Sequence, residues 1–249
     1  MSKTSEEYPT TPKPLQTTKL SVPGIVLKQI IESTLFAVSK DELKPALSGV
    51  LFQIKNNSIL SVSTDGHRLV KYTKHGLNIN IDRDVIIPKK FLSLISSNIS
   101  QAENINLYIN ENQVIVEVGN DIFYSRVIDE RFPDFESVIP KDNNKELIVN
   151  RLDLLSTVKR VSVLSNKTTR QIALNLTKDN IKITTEDNEK SSKGFENISG
   201  SFTGEDLTIG YNAAYLKDIL SHLTTDEIII KLNSPISAGL FFPKEQLKD

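Results

Sequence analysis

Glu146-Leu147-Ile148-Val149, then Asn150, then a helical pattern beginning near Arg151, reads as a strand, an end-cap residue and a helix in immediate succession. The same order recurs as Lys19-Leu20-Ser21-Val22 before Pro23, Asp84 to Ile87 before Pro88, and Leu207 to Gly210 before Asn212. The helices start near Pro23, Lys89, Arg151 and Ala213, at steps of 66, 62 and 62 residues. A fixed period of that size means one supersecondary unit used repeatedly, and each repeat applies a similar rotation to its neighbour, which generates curved or closed assemblies.

The first helix places Leu27, Ile30, Ile31, Leu35 and Val38 on one face, the spacing of a core-facing stripe. Strand patterns follow over Ala46 to Lys55, Ser58 to Thr64 and Leu69 to Lys74, with Asn56-Asn57 as a hairpin turn. The second unit directs Phe91, Leu94 and Ile95 inward, then supplies Ile105 to Ile109, Gln113 to Val118 and Ile122 to Val127. In the third, the inward stripe is Leu152, Leu155, Val158 and Ser162, before strands at Ile172 to Thr177, Ile181 to Thr185 and, more weakly, Phe195 to Phe202. The fourth has Leu216, Ile219, Leu220 and Leu223 inward, then Glu227 to Leu232 and Ala238 to Phe242, one strand fewer than the others.

A lone helix on a small sheet buries too little surface, so pairing of units is expected. The fold class is α+β: two domains, each a pseudo-twofold pair of β-α-β-β-β units with two helices packed on antiparallel sheets. The expected spans are 17–138 and 139–249, with Pro133, Pro140 and Asp142-Asn143-Asn144 interrupting the periodicity near the boundary. Residues 1–16, with Pro9, Pro12 and Pro14, read as a linker.

Composition narrows the function. Cysteine is absent from the 249 residues, which excludes disulfides, thiolate catalysis and cysteine-bound zinc and fits a reducing compartment. No apolar run approaches the ~20 residues of a membrane span, so a cytoplasmic protein without membrane contact is expected. With 30 basic and 31 acidic residues, any nucleic-acid contact must come from local charge. Residues 151–170 hold Arg151, Lys159, Arg160, Lys167 and Arg170 against the single acid Asp153. His67, His75 and His222 lack metal-ligand spacing, and no glycine-rich phosphate loop is present, so neither metal nor cofactor is expected. Asp65-Gly66 signals a tight turn, beside which a hydrolytic Asp65/His67 pair remains an alternative without a nucleophile nearby. The tract from Asp129 to Phe135 is read as the domain junction, with its aromatics packing there.

Leu47-Ser48-Gly49-Val50-Leu51-Phe52, Thr64 to Leu69, Arg131 to Phe135, Leu164-Ser165-Asn166, and Ile209-Gly210-Tyr211-Asn212 with Tyr215-Leu216 closely resemble the bacterial DNA sliding clamp family, the β subunit of DNA polymerase III. Order and spacing match from about Glu6 to Phe242. The resemblance implies a non-enzymatic, homo-oligomeric ring around duplex DNA, built from chains of three such domains, of which this sequence resembles the second and third. Glu7-Tyr8-Pro9 resembles the end of the first domain, so residues 1–16 are expected to be its remnant.

The resemblance further implies sequence-independent retention of double-stranded DNA by basic side chains on pore-facing helices, acting on phosphates through water. The positions are Lys28, Lys40, Lys44, Lys89, Lys90, Arg151, Lys159, Arg160, Lys167, Arg170 and Lys217. A hydrophobic peptide-binding cleft is implied at Leu47, Thr64, Gly66, His67, Arg68, Leu69, Pro133, Val138, Asn212, Tyr215 and Ile236. Its expected partners are the DNA polymerase III alpha subunit, the clamp loader and repair proteins. The sequence departs from the family at Thr169, where a larger side chain is common, and in lacking the family's last strand, which would leave a sheet edge unpaired. Other readings are a two-domain chain forming a trimeric ring, and an unrelated antiparallel β-rich binding module for carbohydrate or protein.

Overall fold

The computed structural model describes residues 18–99 and 104–245, so the segment 1–16 lies outside the described residues. The chain divides into two compact units between Phe132 and Pro133.

Unit 1 runs β1 (Thr18–Pro23), α1 (Gly24–Thr34), β2 (Gly49–Lys55), β3 (Ser58–Thr64), β4 (Leu69–Lys74), β5 (Arg83–Pro88), α2 (Lys89–Asn98), β6 (Asn104–Ile109), β7 (Gln113–Val118) and β8 (Asp121–Arg126). Its sheets have the orders β4-β3-β2-β5 and β1-β6-β7-β8, with antiparallel neighbours throughout. Each repeat therefore gives its leading strand to the other repeat's sheet. The strands present alternate residues to a core that includes Val50, Phe52, Ile54, Ile105, Leu107 and Ile109. Full burial of each such side chain contributes about 1.5–3 kcal/mol.

The helices complete that core and pack on each other. In α1, Leu27, Ile30 and Ile31 are buried as the periodicity predicts. In α2 the buried set is Phe91, Leu92 and Ile95, whereas Leu94, expected inside, is 49% exposed. Pro88 holds an extended conformation and starts the helix at Lys89, which sets a phase that turns Leu94 outward. Strand β2 begins later than expected because Pro45–Leu47 form a 3-10 turn, closed by Ser48 Oγ donating to the Pro45 carbonyl at 2.7 Å. Asn56 and Asn57 both take the left-handed conformation, with φ of 53° and 57°, as a two-residue hairpin turn demands.

Unit 2 runs β9 (Lys145–Asn150), α3 (Arg151–Val161), β10 (Gln171–Thr177), β11 (Asn180–Asp187), β12 (Ser192–Ser199), β13 (Ser201–Thr203), β14 (Leu207–Asn212), α4 (Ala213–His222), β15 (Glu227–Leu232) and β16 (Leu240–Pro243). The sheet orders are β12-β11-β10-β14 and β13-β9-β15-β16. Here asparagines replace the prolines as caps: Asn150 Oδ1 accepts from the Asp153 amide and Asn212 Oδ1 from the Ala214 amide.

Helix α3 buries Leu154, Leu155, Thr157, Val158 and Val161. Leu152, expected inside, is 53% exposed, and Ser162 falls in a 3-10 turn beyond the helix without full burial. The cap at Asn150 again sets the phase, directing Leu154 and Val161 to the core in their place. In α4, Leu216 and Leu220 are fully buried, while Ile219 and Leu223 are half-buried. The strand expected at Phe195 to Phe202 is two strands, because the chain leaves one sheet and enters the other at Gly200. A Cβ there would lie 2.5 Å from Ile181 Cδ1 and 3.3 Å from the Ile148 carbonyl oxygen, so a larger residue would force the buried Ile181 side chain to shift. The last expected strand is shortened to β16, preceded by a structured loop over residues 233–239.

Candidate functional site

The turn between β3 and β4 is built by Asp65. Its Oδ1 accepts from the His67 and Arg68 amides at 3.0 and 3.1 Å, and its Oδ2 accepts from Arg68 Nε at 3.2 Å. Thr64 Oγ1 closes the same turn, donating to the Arg68 carbonyl at 2.7 Å and accepting from the Gly66 amide at 3.1 Å. Gly66 adopts φ 90°, a left-handed conformation, and an added Cβ would meet nothing within 4 Å, so glycine is required by backbone geometry and leaves the turn open to a ligand. Both Asp65 oxygens serve the turn, which explains the residue structurally where the sequence left a hydrolytic role open.

Arg68 extends from that turn across unit 1. Its Nη2 donates to the Phe36 carbonyl at 2.9 Å, and its guanidinium lies 5.3 Å from the centre of the Phe36 ring. Nothing local in the sequence links Phe36 to Arg68, 32 residues later, so its part in holding the guanidinium is visible only in the structure. Leu47 is buried in its 3-10 turn and Leu69 is half-buried at the start of β4, while His67 is exposed. This end of unit 1 thus groups a rigid turn, an anchored cation and apolar side chains. Lys89 stands nearby, and burial together with the Lys40 and Arg68 charges lowers its pKa from the ordinary lysine range.

In unit 2, Asn212 caps α4 and its Nδ2 donates to the Thr169 carbonyl at 3.2 Å. Tyr215 is half-buried on α4, Pro133 and Val138 are exposed, and Ile236 stands 97% exposed at the tip of the 233–239 loop. Tyr211, one residue before the cap, packs edge-on to Phe241, and burial raises its phenol pKa above the ordinary range.

The basic positions differ in how much of their charge is available. Arg151 is half-buried, with Nε donating to the Thr225 carbonyl at 2.9 Å and Nη1 to the Leu220 carbonyl at 3.1 Å. It closes the C-terminal end of α4, a role fitting the negative end of a helix dipole. Arg160 pairs with Glu196. Lys28 approaches Glu32 and Lys44 approaches Asp41, each at 4.0 Å, and Lys217 Nζ lies 3.5 Å from Ser162 Oγ. Lys40, Lys90, Lys159, Lys167 and Arg170 are exposed. Arg170 has φ 50°, and its carbonyl accepts from the Ala213 amide at the start of α4. Among the described residues, no group of three or more acidic, histidine or cysteine side chains is placed to hold a metal ion. No helix among them is long and apolar enough to cross a membrane.

Comparison with known proteins agrees with this architecture in both units. Residues 21–134 match the DNA polymerase III beta subunit, central domain, and residues 136–246 its C-terminal domain. The chain is 32% identical over 222 residues to a beta sliding clamp of Proteus mirabilis, an alignment covering 88% of this chain and 60% of that one. It is likewise 32% identical over 229 residues to a beta sliding clamp of Bacillus subtilis, covering 90% and 60%. The crystal structure of the Bacillus subtilis sliding clamp superposes with a TM-score of 0.93 at 30% identity, covering 97% of this chain and 65% of that one. A DnaN sliding clamp from Pseudomonas aeruginosa bound to griselimycin gives 0.92 at 25% identity, covering 98% and 66%. The chain therefore spans about three fifths of the length of the curated relatives it matches.

Proposed function

Because the chain belongs to the DNA polymerase III beta subunit family, carrying its central and C-terminal domains in sequence, we infer that it acts as a DNA sliding clamp. In this reading it is a non-catalytic processivity factor. It works in the cytoplasm as part of a homo-oligomeric ring, holds duplex DNA without reading its sequence, and tethers the polymerase alpha subunit, clamp loader and repair proteins. The observation that carries the reading is the match of two consecutive domain models from one family to the two compact units of one chain. That match replaces the reading of an unrelated binding module.

The retained charges on Lys90, Lys159, Lys167 and Arg170 support electrostatic retention of DNA, since exposed cations act on phosphates without base contacts. The peptide site is assigned to Leu47, Thr64, Gly66, His67, Arg68 and Leu69 in unit 1, and to Pro133, Val138, Asn212, Tyr215 and Ile236 in unit 2. The open Gly66 turn and the exposed Val138 and Ile236 side chains support this assignment, and griselimycin is proposed as a ligand of the same site. Affinity for a flexible partner segment is modest because ordering it on binding costs conformational freedom, which suits exchange between partners.

Co-precipitation with the DNA polymerase III alpha subunit tests the reading. The wild-type chain retains the subunit and Leu69→Ala loses most of it; retention unchanged by Leu69→Ala and by Arg68→Ala would contradict the site.

A further inference from the structure

The loop 233–239 is strapped at its base by a segment almost ninety residues earlier. Asn143 Nδ2 donates to the Lys231 carbonyl at 3.0 Å and to the Ala238 carbonyl at 2.9 Å, bridging the two sides of the loop. Two carbonyl acceptors fix the amide's orientation, since the flipped amide would oppose oxygen to oxygen. The cost is visible in the same side chain: Oδ1 is buried without a hydrogen-bond partner. Asp142 Oδ2 accepts from Asn233 Nδ2 at 2.8 Å, and Lys145 Nζ donates to the Asn233 carbonyl at 2.6 Å.

The loop is also tied internally. Ser237 Oγ accepts from the Ser234 amide at 2.8 Å and lies 3.1 Å from the Ser234 carbonyl, closing a turn around Pro235 and Ile236. At its far end Gly239 lies directly under the Tyr211 hydroxyl, where any Cβ would collide. What this framework displays is Ile236, an isoleucine left 97% exposed. Such a side chain on a strapped loop has no packing role of its own.

We propose that Asn143 is a positioning residue that pre-organises the Ile236 loop for capture of an apolar partner segment. The proposal rests on the peptide-site reading above. Holding the loop in its bound form removes the ordering cost from the binding step, so affinity depends on a side chain that does not touch the ligand. The loss of one bridging side chain in Asn143→Ala is expected to weaken binding about fivefold, through Ile236.

The test is a double-mutant cycle on the full chain with griselimycin as probe, read by calorimetry, together with amide hydrogen exchange. Asn143→Ala binds about fivefold more weakly, Ile236→Ala more weakly still, and the double variant no worse than Ile236→Ala alone. Exchange quickens in Asn143→Ala at residues 234–239 while β11 keeps its wild-type protection, which separates loop release from general destabilisation. Unchanged exchange in the loop, or losses that add in full in the double variant, would overturn the proposal. Wild-type chain that fails to bind griselimycin, with loop exchange still quickened by Asn143→Ala, would overturn the role in capture and the peptide-site reading while leaving the strap itself in place.

Discussion

The guanidinium of Arg160 grips the Glu196 carboxylate through three contacts of 2.7 to 3.1 Å, tying helix α3 to strand β12. The charge most prominent in the basic tract 151–170 is thereby compensated by a residue outside it. The hydrogen bond from Arg160 holds the Glu196 carboxyl below its usual range, so the pair persists above the ordinary carboxylate pKa and is lost only as pH falls through the lowered value. Salt dependence of duplex binding separates the neighbours: Lys159→Ala reduces the slope of log affinity against log salt by up to about one, whereas Arg160→Ala changes it little. Glu196→Gln, which frees the Arg160 charge, steepens the slope. Equal effects of the two alanine variants would contradict this division.

Lys89 carries an alkaline signature. Its folded pKa lies below 10.5 through burial and the Lys40 and Arg68 charges, so the unfolded chain binds its proton more tightly. Unfolded protein then holds more protons between the lowered folded value and 10.5, and stability rises with pH across that window. Urea unfolding of unit 1 over this range shows that rise in the wild type and a flatter profile in Lys89→Gln.

Gly49 is fixed by close approach rather than by backbone conformation. A Cβ there would lie 2.5 Å from the Ile87 carbonyl oxygen and 2.8 Å from Ile128 Cδ1, at the end of the β2–β5 ladder where Gly49 pairs with Pro88. Gly49→Ala is expected to destabilise unit 1 by about 1–3 kcal/mol in denaturant unfolding. Gly210→Ala, whose nearest neighbour would be 3.5 Å away, is expected to be close to neutral.

Asp65→Ala removes the acceptor for two turn amides and the partner of Arg68 Nε. The turn loses its shape at a cost of about 1–3 kcal/mol, and alpha-subunit capture falls with it. Asp65→Asn keeps one acceptor oxygen and restores a large part of capture, an outcome that a hydrolytic carboxylate would not produce.

Much of the fold is legible in the sequence because short-range signals suffice for it. Ser58–Thr64, Gln113–Val118 and Glu227–Leu232 are bounded by turn residues and emerge at the expected limits. Helix phase is harder: α2 and α3 have 10 and 11 residues, and a stripe that short fits more than one rotation. The periodicity points Leu94 and Leu152 inward, and the caps at Pro88 and Asn150 turn them out. The exchange of leading strands depends on pairings such as Leu20 with Leu107, which no local pattern records. In the site, the tight turn at Asp65-Gly66 is legible, but the sequence pairs Asp65 with His67 where the structure pairs it with Arg68, and Arg160 and Glu196, 36 apart, share no local signal. A longer separation, 69 and 74 residues, hides the role of Arg151, whose acceptors are the Leu220 and Thr225 carbonyls.

Under the function proposed above, the chain holds DNA by enclosure within a ring and not by recognition of its sequence. The most direct measurement is retention on a nicked circular duplex after treatment with the clamp loader, compared before and after a single cut that linearises the DNA. Retention on the circle and release on cutting is the predicted result; equal retention on circular and linear DNA, or none on either, would contradict it.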